Sequence, residues 1–164
     1  MFNIIAGINN INGIGCNGSI PWKNKEDMIF FKKITSNTNN KLKENAIIMG
    51  RKTFESLNEK PLPLRTNFVI SRKKYDNVES FESLDLCLEY IEKMNNIERI
   101  YVIGGSQLYK EALNHDSCVA VFLNKIDDDS FCDTFFPKID ESKYKKLSTL
   151  VISESVTSIL YGKY

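Results

Sequence analysis

Histidine is nearly missing: the chain of 164 residues holds one, His115, beside four cysteines and a formal net charge of +1. Cys16, Cys87, Cys118 and Cys132 are scattered, with no Cys-x-x-Cys pair among them. A structural zinc site needs clustered cysteine and histidine ligands, so this pattern argues against one and for reduced thiols in a cytoplasmic compartment. No metal is expected, and His115, solitary in a polar loop, is given no catalytic role. A charge so near zero supplies no field that would draw in nucleic acid or an anionic membrane. No apolar run approaches the length of a membrane span. Residues 1–6 lack the basic segment of a signal peptide, so none is expected. What remains is an ordinary globular composition, 42% hydrophobic and 26% charged. The length suffices to bury a full core, and one domain over residues 1–164 is expected.

The most informative stretch is residues 20–35. Pro21-Trp22 follows a glycine-bearing loop and leads into a helix from about Lys25. Counting three, four and seven residues on from Asp27 reaches Phe30, Phe31 and Ile34, all apolar. The same count from Glu26 reaches Ile29, Phe30 and Lys33, a mixed face that meets solvent. Of two adjacent carboxylates, Asp27 therefore points inward and Glu26 outward. No cation stands three or four residues on from Asp27, so its partner is expected from outside the chain. A plainer alternative is an acid that favours the helix dipole; Trp22 and the preceding loop weigh against it.

The remaining chain alternates. Residues 2–8 form an apolar run, a buried strand, ending at Asn9-Asn10. Residues 11–19 carry three glycines and no periodicity, which predicts a mobile loop able to close over a ligand, or else a plain connector. Residues 46–49 read as a buried strand stopped by Gly50, with Arg51, Lys52 and a short helix starting at Thr53. A strand, a glycine and a helix start flanked by cations is a phosphate seat; an ordinary turn with exposed basic residues fits equally well. Residues 60–65 make a rigid proline loop ending in Arg65, whose guanidinium can fork onto a carboxylate. Residues 67–70 are the next strand, and Ser71-Arg72 repeats the arrangement of strand end, hydroxyl and cation. Ser83 caps a helix whose Leu84, Cys87, Leu88 and Ile91 are packing residues. After the strand at 99–103, Gly104-Gly105 precedes a helix from Leu108, and paired glycines let backbone approach a ligand closely. Residues 119–123 form a strand, and residues 131–137, 146–152 and 158–164 are read as edge strands, the last two a closing hairpin. Asp127-Asp128-Asp129 lacks the ligand spacing of a calcium loop and reads as a solvated tip. The alternation predicts an α/β fold: a mainly parallel sheet, helices on both faces, and an antiparallel edge hairpin. Ligands of such sheets sit beyond the carboxyl ends of the strands.

These residues, in this order and spacing, resemble a dihydrofolate reductase over nearly the whole chain. The resemblance rests on Ile5-Ala6, on Gly13-Ile14-Gly15 through Gly18, on Pro21-Trp22, and on Asp27 with Phe30-Phe31-Lys32. It continues through residues 48–53, Pro61-Leu62-Pro63, Arg65-Thr66-Asn67, Ile70-Ser71-Arg72, Ile103-Gly104-Gly105-Ser106 with Tyr109, and Asp133-Thr134 before Phe136-Pro137. It implies NADPH-dependent reduction of dihydrofolate to tetrahydrofolate by a monomeric chain, in support of one-carbon metabolism, and a target for antifolates. Asp27 would grip the pterin's 2-amino and N3 positions and help supply a proton near N5, while Trp22 helps hold the relaying water. Ile5, Phe30, Phe31 and Leu62 would line the slot, and Arg65 would take the glutamate tail. Ala6, Gly7 and the loop residues Ile14, Gly15, Gly18 and Ser19 would meet the nicotinamide ribose and ring. Gly50, Lys52, Thr53, Ile103, Gly104, Gly105, Ser106, Gln107, Leu108 and Tyr109 would take the rest of the cofactor, chiefly its pyrophosphate. Arg51, Ser71 and Arg72 would meet the 2′-phosphate, and Asp133 would bond the closed glycine loop.

Three departures from the family pattern stand out. Asn124 occupies the place of a threonine that bonds the helix acid, Leu64 that of a small residue, and Cys16 brings a thiol into the lid. The C-terminal hairpin is expected to be short. Two rivals remain: a riboflavin-pathway reductase of the same fold, which does not share the Pro-Trp and Asp helix, and a non-enzymatic relative, which would have lost Asp27 or the double glycine. A fused thymidylate synthase is not expected in 164 residues.

Overall fold

The computed structural model describes residues 1–164. Its elements in chain order are β1 (Phe2–Ile8), β2 (Gly13–Gly15), α1 (Lys25–Ser36), β3 (Glu44–Gly50), α2 (Arg51–Ser56), β4 (Thr66–Ile70) and β5 (Glu79–Phe81). There follow α3 (Leu84–Glu92), β6 (Ile97–Val102), α4 (Ser106–Leu113), β7 (Cys118–Ile126), β8 (Thr134–Phe135), β9 (Tyr144–Ser153) and β10 (Val156–Lys163).

Near-continuous apolar runs such as Phe2–Ile8 and Glu44–Gly50 are what a strand needs when both of its faces are covered. Alternate residues accordingly divide between two cores. Phe2, Ile4, Ala6 and Ile8 join Ala46, Ile48 and Val102 against Leu84, Cys87, Leu88 and Ile91 of α3 and Leu108, Ala112 and Leu113 of α4. Ile5, Ile47, Met49 and Val69 face the other way, against Phe54 of α2 and the half-buried Phe31 and Ile34 of α1. The eight-stranded sheet runs β5-β4-β3-β6-β1-β7-β10-β9. Its first six strands are mutually parallel, and β10 pairs antiparallel with both β7 and β9. Because β6 inserts between β3 and β1, the carboxyl ends of these three strands lie side by side. That is where an open α/β sheet receives ligands. No helix is long and apolar enough to cross a membrane.

The structure revises several expectations. Gly13–Gly15 is a strand rather than free loop, paired with Thr134–Phe135 in a separate two-stranded sheet. Only those two residues of the expected edge strand at 131–137 are extended. Beyond β2 the chain turns at Asn17-Gly18, with φ of 50° and 78°, and Cys16 and Ser19 exchange backbone hydrogen bonds. Asn-Gly is the dipeptide that tolerates two successive left-handed residues. The α2 helix begins at Arg51, two residues before the expected start at Thr53, and α4 begins at Ser106 rather than Leu108. The short β5 went unanticipated, its three residues carrying too little periodicity. The closing hairpin is not short: β9 has 10 residues and β10 has 8. At Asp127-Asp128-Asp129 the expectation of a solvated tip agrees with the exposure of Asp127 and Asp129, to both of which the Asn10 side chain donates at 2.9 Å.

Candidate active site

The α1 helix starts where its sequence dictates. Asn24 caps it, its side-chain oxygen accepting the backbone N–H of Asp27 at 2.9 Å, and Glu26 and Asp27 fill the first turn. Asp27 is half-buried and Glu26 exposed, as the helical count requires, and Phe30, Phe31 and Ile34 follow Asp27 inward. Asp27 meets no cation within ion-pair distance. Instead Asn124 of β7 donates its amide N–H to Asp27 Oδ1 at 2.9 Å. Burial raises the carboxyl's pKa above its ordinary value, and the Asn124 bond pulls it partly back. Gly7 of β1 lies beneath: a Cβ there would come within 3.1 Å of Asp27 Oδ2. Trp22 is buried with Ile126, Cys132 and Val156, just ahead of the helix.

Arg65 is buried in the apolar wall close to Phe31, its guanidinium carbon 6.0 Å from the ring centre. Nε donates to the Pro63 carbonyl at 2.8 Å and a terminal nitrogen to Thr35 Oγ1 at 3.0 Å. These bonds fix the guanidinium without neutralising it, and no carboxylate of the chain pairs with it. Ile5 and Leu62 belong to the same apolar cluster as Phe31.

Two helix starts meet on the other side. Gly50 and Gly105 occupy the cap positions of α2 and α4, and neither has a side chain to satisfy the helix N–H groups. The Gly50 N–H donates to the Gly104 carbonyl at 2.8 Å, which ties the two starts together. A Cβ on Gly105 would touch Thr53 Oγ1 at 3.6 Å, so the loop backbone lies close over α2. Gly104 has φ of +122°, a conformation that favours glycine. The amides at 51–53 and 106–108 have no side-chain cap and Lys52 is exposed at the first of these starts, donors of the kind that suit an anion. Arg51, exposed beside it, is already paired with Glu55 at 2.7 Å. Ser71 is buried at the end of β4 and accepts the Lys73 N–H, and Arg72 is exposed without an acidic partner.

Some expected cofactor contacts are redirected. The Tyr109 hydroxyl lies in the core, 2.8 Å from the carbonyls of both Ile5 and Ile103, and burial pushes its pKa well up. The Leu108 side chain is likewise core, and Ser106 donates its hydroxyl to the Phe135 carbonyl at 2.9 Å. The Leu108 and Tyr109 side chains therefore pack into the core, leaving backbone at these two positions for any ligand. The glycine-bearing loop is bonded, as expected, by Asp133, which accepts the Asn17 N–H at 2.9 Å, while its own N–H donates to the Gly15 carbonyl.

Sequence reasoning missed Asn9 and Asn24. Asn9 is buried and accepts the Gly13 N–H at 2.8 Å and the Ile11 N–H at 3.2 Å while donating to the Ser130 carbonyl at 2.9 Å. It thereby fastens the start of the glycine-bearing loop to the segment after β7. Asparagine directly before a periodic helix was the available signal for Asn24; nothing local distinguishes Asn9 from Asn10.

The family model for dihydrofolate reductase matches residues 1–157. A dihydrofolate reductase of the moth Heliothis virescens is 38% identical over 152 residues, 87% of this chain and 82% of the moth protein. The Drosophila melanogaster enzyme of that name is 35% identical over 148 residues, covering 86% and 81%. A bifunctional dihydrofolate reductase-thymidylate synthase of carrot is 39% identical over 153 residues, of which this chain spans 29% of the length. Among solved structures, dihydrofolate reductase from Enterococcus faecalis complexed with NADP(H) and RAB-propyl superposes with a TM-score of 0.83 at 30% identity, over 99% of this chain and 96% of that one. With its inward acid, its tied glycine cradle and this agreement along almost its full length, the chain belongs to the dihydrofolate reductase family.

Proposed function

We propose that the chain reduces 7,8-dihydrofolate to 5,6,7,8-tetrahydrofolate with NADPH, hydride passing to C6 and a proton to N5. The observation that carries this reading is Asp27, an inward carboxylate with an amide partner and no cation. Such a group suits an amidine-like ring edge, which offers two parallel N–H donors. Its raised pKa keeps a proton available nearer to neutral pH than an ordinary carboxylate does, which serves protonation beside it. Trp22 stands at the helix entrance and would hold the water that carries the proton on.

Ile5, Phe30, Phe31 and Leu62 form the apolar slot, which orients the pterin and excludes bulk water. Arg65, buried and unneutralised, would take the carboxylate of the glutamate tail. The cradle at Gly50, Lys52, Thr53, Gly104, Gly105, Ser106 and Gln107 fits a pyrophosphate, because its helix N–H groups are uncapped. Arg72 and Ser71 fit the 2′-phosphate, with Arg51 available only on leaving Glu55. Ala6, Gly7, Ile14, Gly15, Gly18 and Ser19 complete the nicotinamide side. NADPH, when bound there, supplies the hydride. All assigned groups lie on one chain, so a monomer suffices, and four free thiols suit a cytoplasmic setting.

The purified chain is expected to consume NADPH, followed by its absorbance, only when dihydrofolate is added. Absence of turnover with both present would overturn the function.

A further inference from the structure

Asn-Gly occurs twice in the chain, as Asn12-Gly13 and Asn17-Gly18, both within the glycine-bearing loop. Asparagine before glycine is the pair most prone to close a succinimide ring, because no Cβ on the second residue hinders its nitrogen. The settings of the two copies differ. Gly13 is buried in β2 and donates its N–H to the Asn9 side-chain oxygen at 2.8 Å. A Cβ there would collide with Cys132 Sγ, so Gly13 has little room to rotate. Asn17 and Gly18 are both exposed, and a Cβ on Gly18 would meet nothing within 4 Å. No hydrogen bond of the chain takes the Gly18 N–H or the Asn17 side-chain amide. Three ties surround this open turn. Cys16 and Ser19 exchange backbone bonds at 2.7 and 3.1 Å, and Asp133 accepts the Asn17 N–H at 2.9 Å.

We infer that Asn17-Gly18 is a self-modification site, where the loop's own backbone converts the asparagine and releases it from Asp133. The Gly18 nitrogen attacks Asn17 Cγ and forms the N–Cγ bond. The Cγ–Nδ2 bond breaks, and the amide nitrogen leaves as ammonia with the Gly18 proton. Water then opens the ring at either carbonyl. Opening at Cγ gives an aspartate, and opening at the Asn17 main-chain carbonyl gives an isoaspartate, whose main chain runs through Cβ. The balance is one water taken up and one ammonia released, with no oxidant required. Both products place a carboxylate on the residue that Asp133 holds, and like charges repel. The isoaspartate also lengthens the main chain inside the Cys16–Ser19 turn, whose paired bonds fit a two-residue loop. At Asn12 the same ring closure would have to pull Gly13 off Asn9 and out of β2.

The test ages the purified chain in mildly alkaline buffer and localises conversion by fragment-ion mass spectrometry of the peptide carrying both asparagines. The mark is the mass change for exchange of NH by O, with isoaspartate confirmed by an isoaspartyl methyltransferase assay. Conversion at Asn17 is expected to run about tenfold or more ahead of Asn12, the factor that one buried hydrogen bond sets. In urea, where both copies are unfolded, that gap is expected to close. Equal rates at the two sites in the folded chain, or a gap that persists in urea, would overturn the inference. Hydrogen exchange then reads the consequence for the loop. Aged wild type is expected to lose protection over residues 12–17. Asn17→Gly, which tolerates the left-handed turn and has no amide to convert, is expected to keep its protection on ageing. Loss in both, or in neither, would overturn the release from Asp133. If Asn17→Gly does not fold, freshly prepared wild type serves as the reference with the same expectation. No readout depends on turnover, so failure of the reductase assay would leave this result standing.

Discussion

Leu64 is a leucine in the left-handed region, with φ of +68°, and it is 64% exposed. Its Cβ crowds the backbone there, and exposure leaves little packing to compensate. Leu64→Gly should therefore raise stability by about 0.5–1 kcal/mol, after allowing for the extra freedom glycine has when unfolded. Urea denaturation checks this; a lower midpoint would show that Leu64 contributes packing the geometry does not reveal. Asp27 makes a prediction of opposite kind. Its pKa is raised, mainly by burial, so the native state holds the proton more tightly than the unfolded chain. Its contribution to stability then falls as pH rises from the ordinary carboxylate value through the raised one. Asp27→Asn should gain stability relative to wild type with rising pH across that window and level off above it. Urea midpoints along a pH series measure it, and a gain that shrank with pH would contradict the burial. Asp27 itself was legible, because helical spacing alone separates it from Glu26. Asn9 was not, because its role depends on Ser130 and Gly13, which the fold brings together.

Long apolar or periodic elements were legible, and short ones were not. The β1, β3 and β7 strands follow from continuous apolar runs, and α1 and α3 from their spacing and caps. The β2 and β8 strands have three and two residues, and only pairing with each other makes them strands. The α2 and α4 helices were recognised from glycine placement, but each starts two residues earlier than expected because glycine can serve as the cap itself. Side-chain directions near α4 were not legible either. Leu108 and Tyr109 point their side chains into the core, while Ser106 donates its hydroxyl to the Phe135 carbonyl. At the end of β4, Arg72 remains free of acidic partners. Arg72→Glu is expected to reduce the preference for NADPH over NADH by about tenfold or more, through loss of a charged phosphate contact. Comparing kcat/KM for the two cofactors decides it, and an unchanged ratio would move the 2′-phosphate elsewhere.

At the scale of the molecule, the order β5-β4-β3-β6-β1-β7-β10-β9 gathers residues far apart in sequence at one end of the sheet. Gly7, Asp27 and Asn124 meet there, as do Gly50 and Gly104. Alternation of strands and helices announced a parallel sheet, but it could not tell that β6 would insert between β3 and β1. That insertion puts β1, whose Gly7 lies beneath Asp27, next to the strand that leads to Gly104-Gly105, an arrangement that suits the proposed hydride transfer between two bound rings. The central claim is that Asp27 serves the proton in this assembly. It is tested most directly by the turnover of Asp27→Asn with saturating NADPH and dihydrofolate at neutral pH, beside wild type. The account predicts a fall of about a hundredfold or more, and a rate equal to wild type would contradict it.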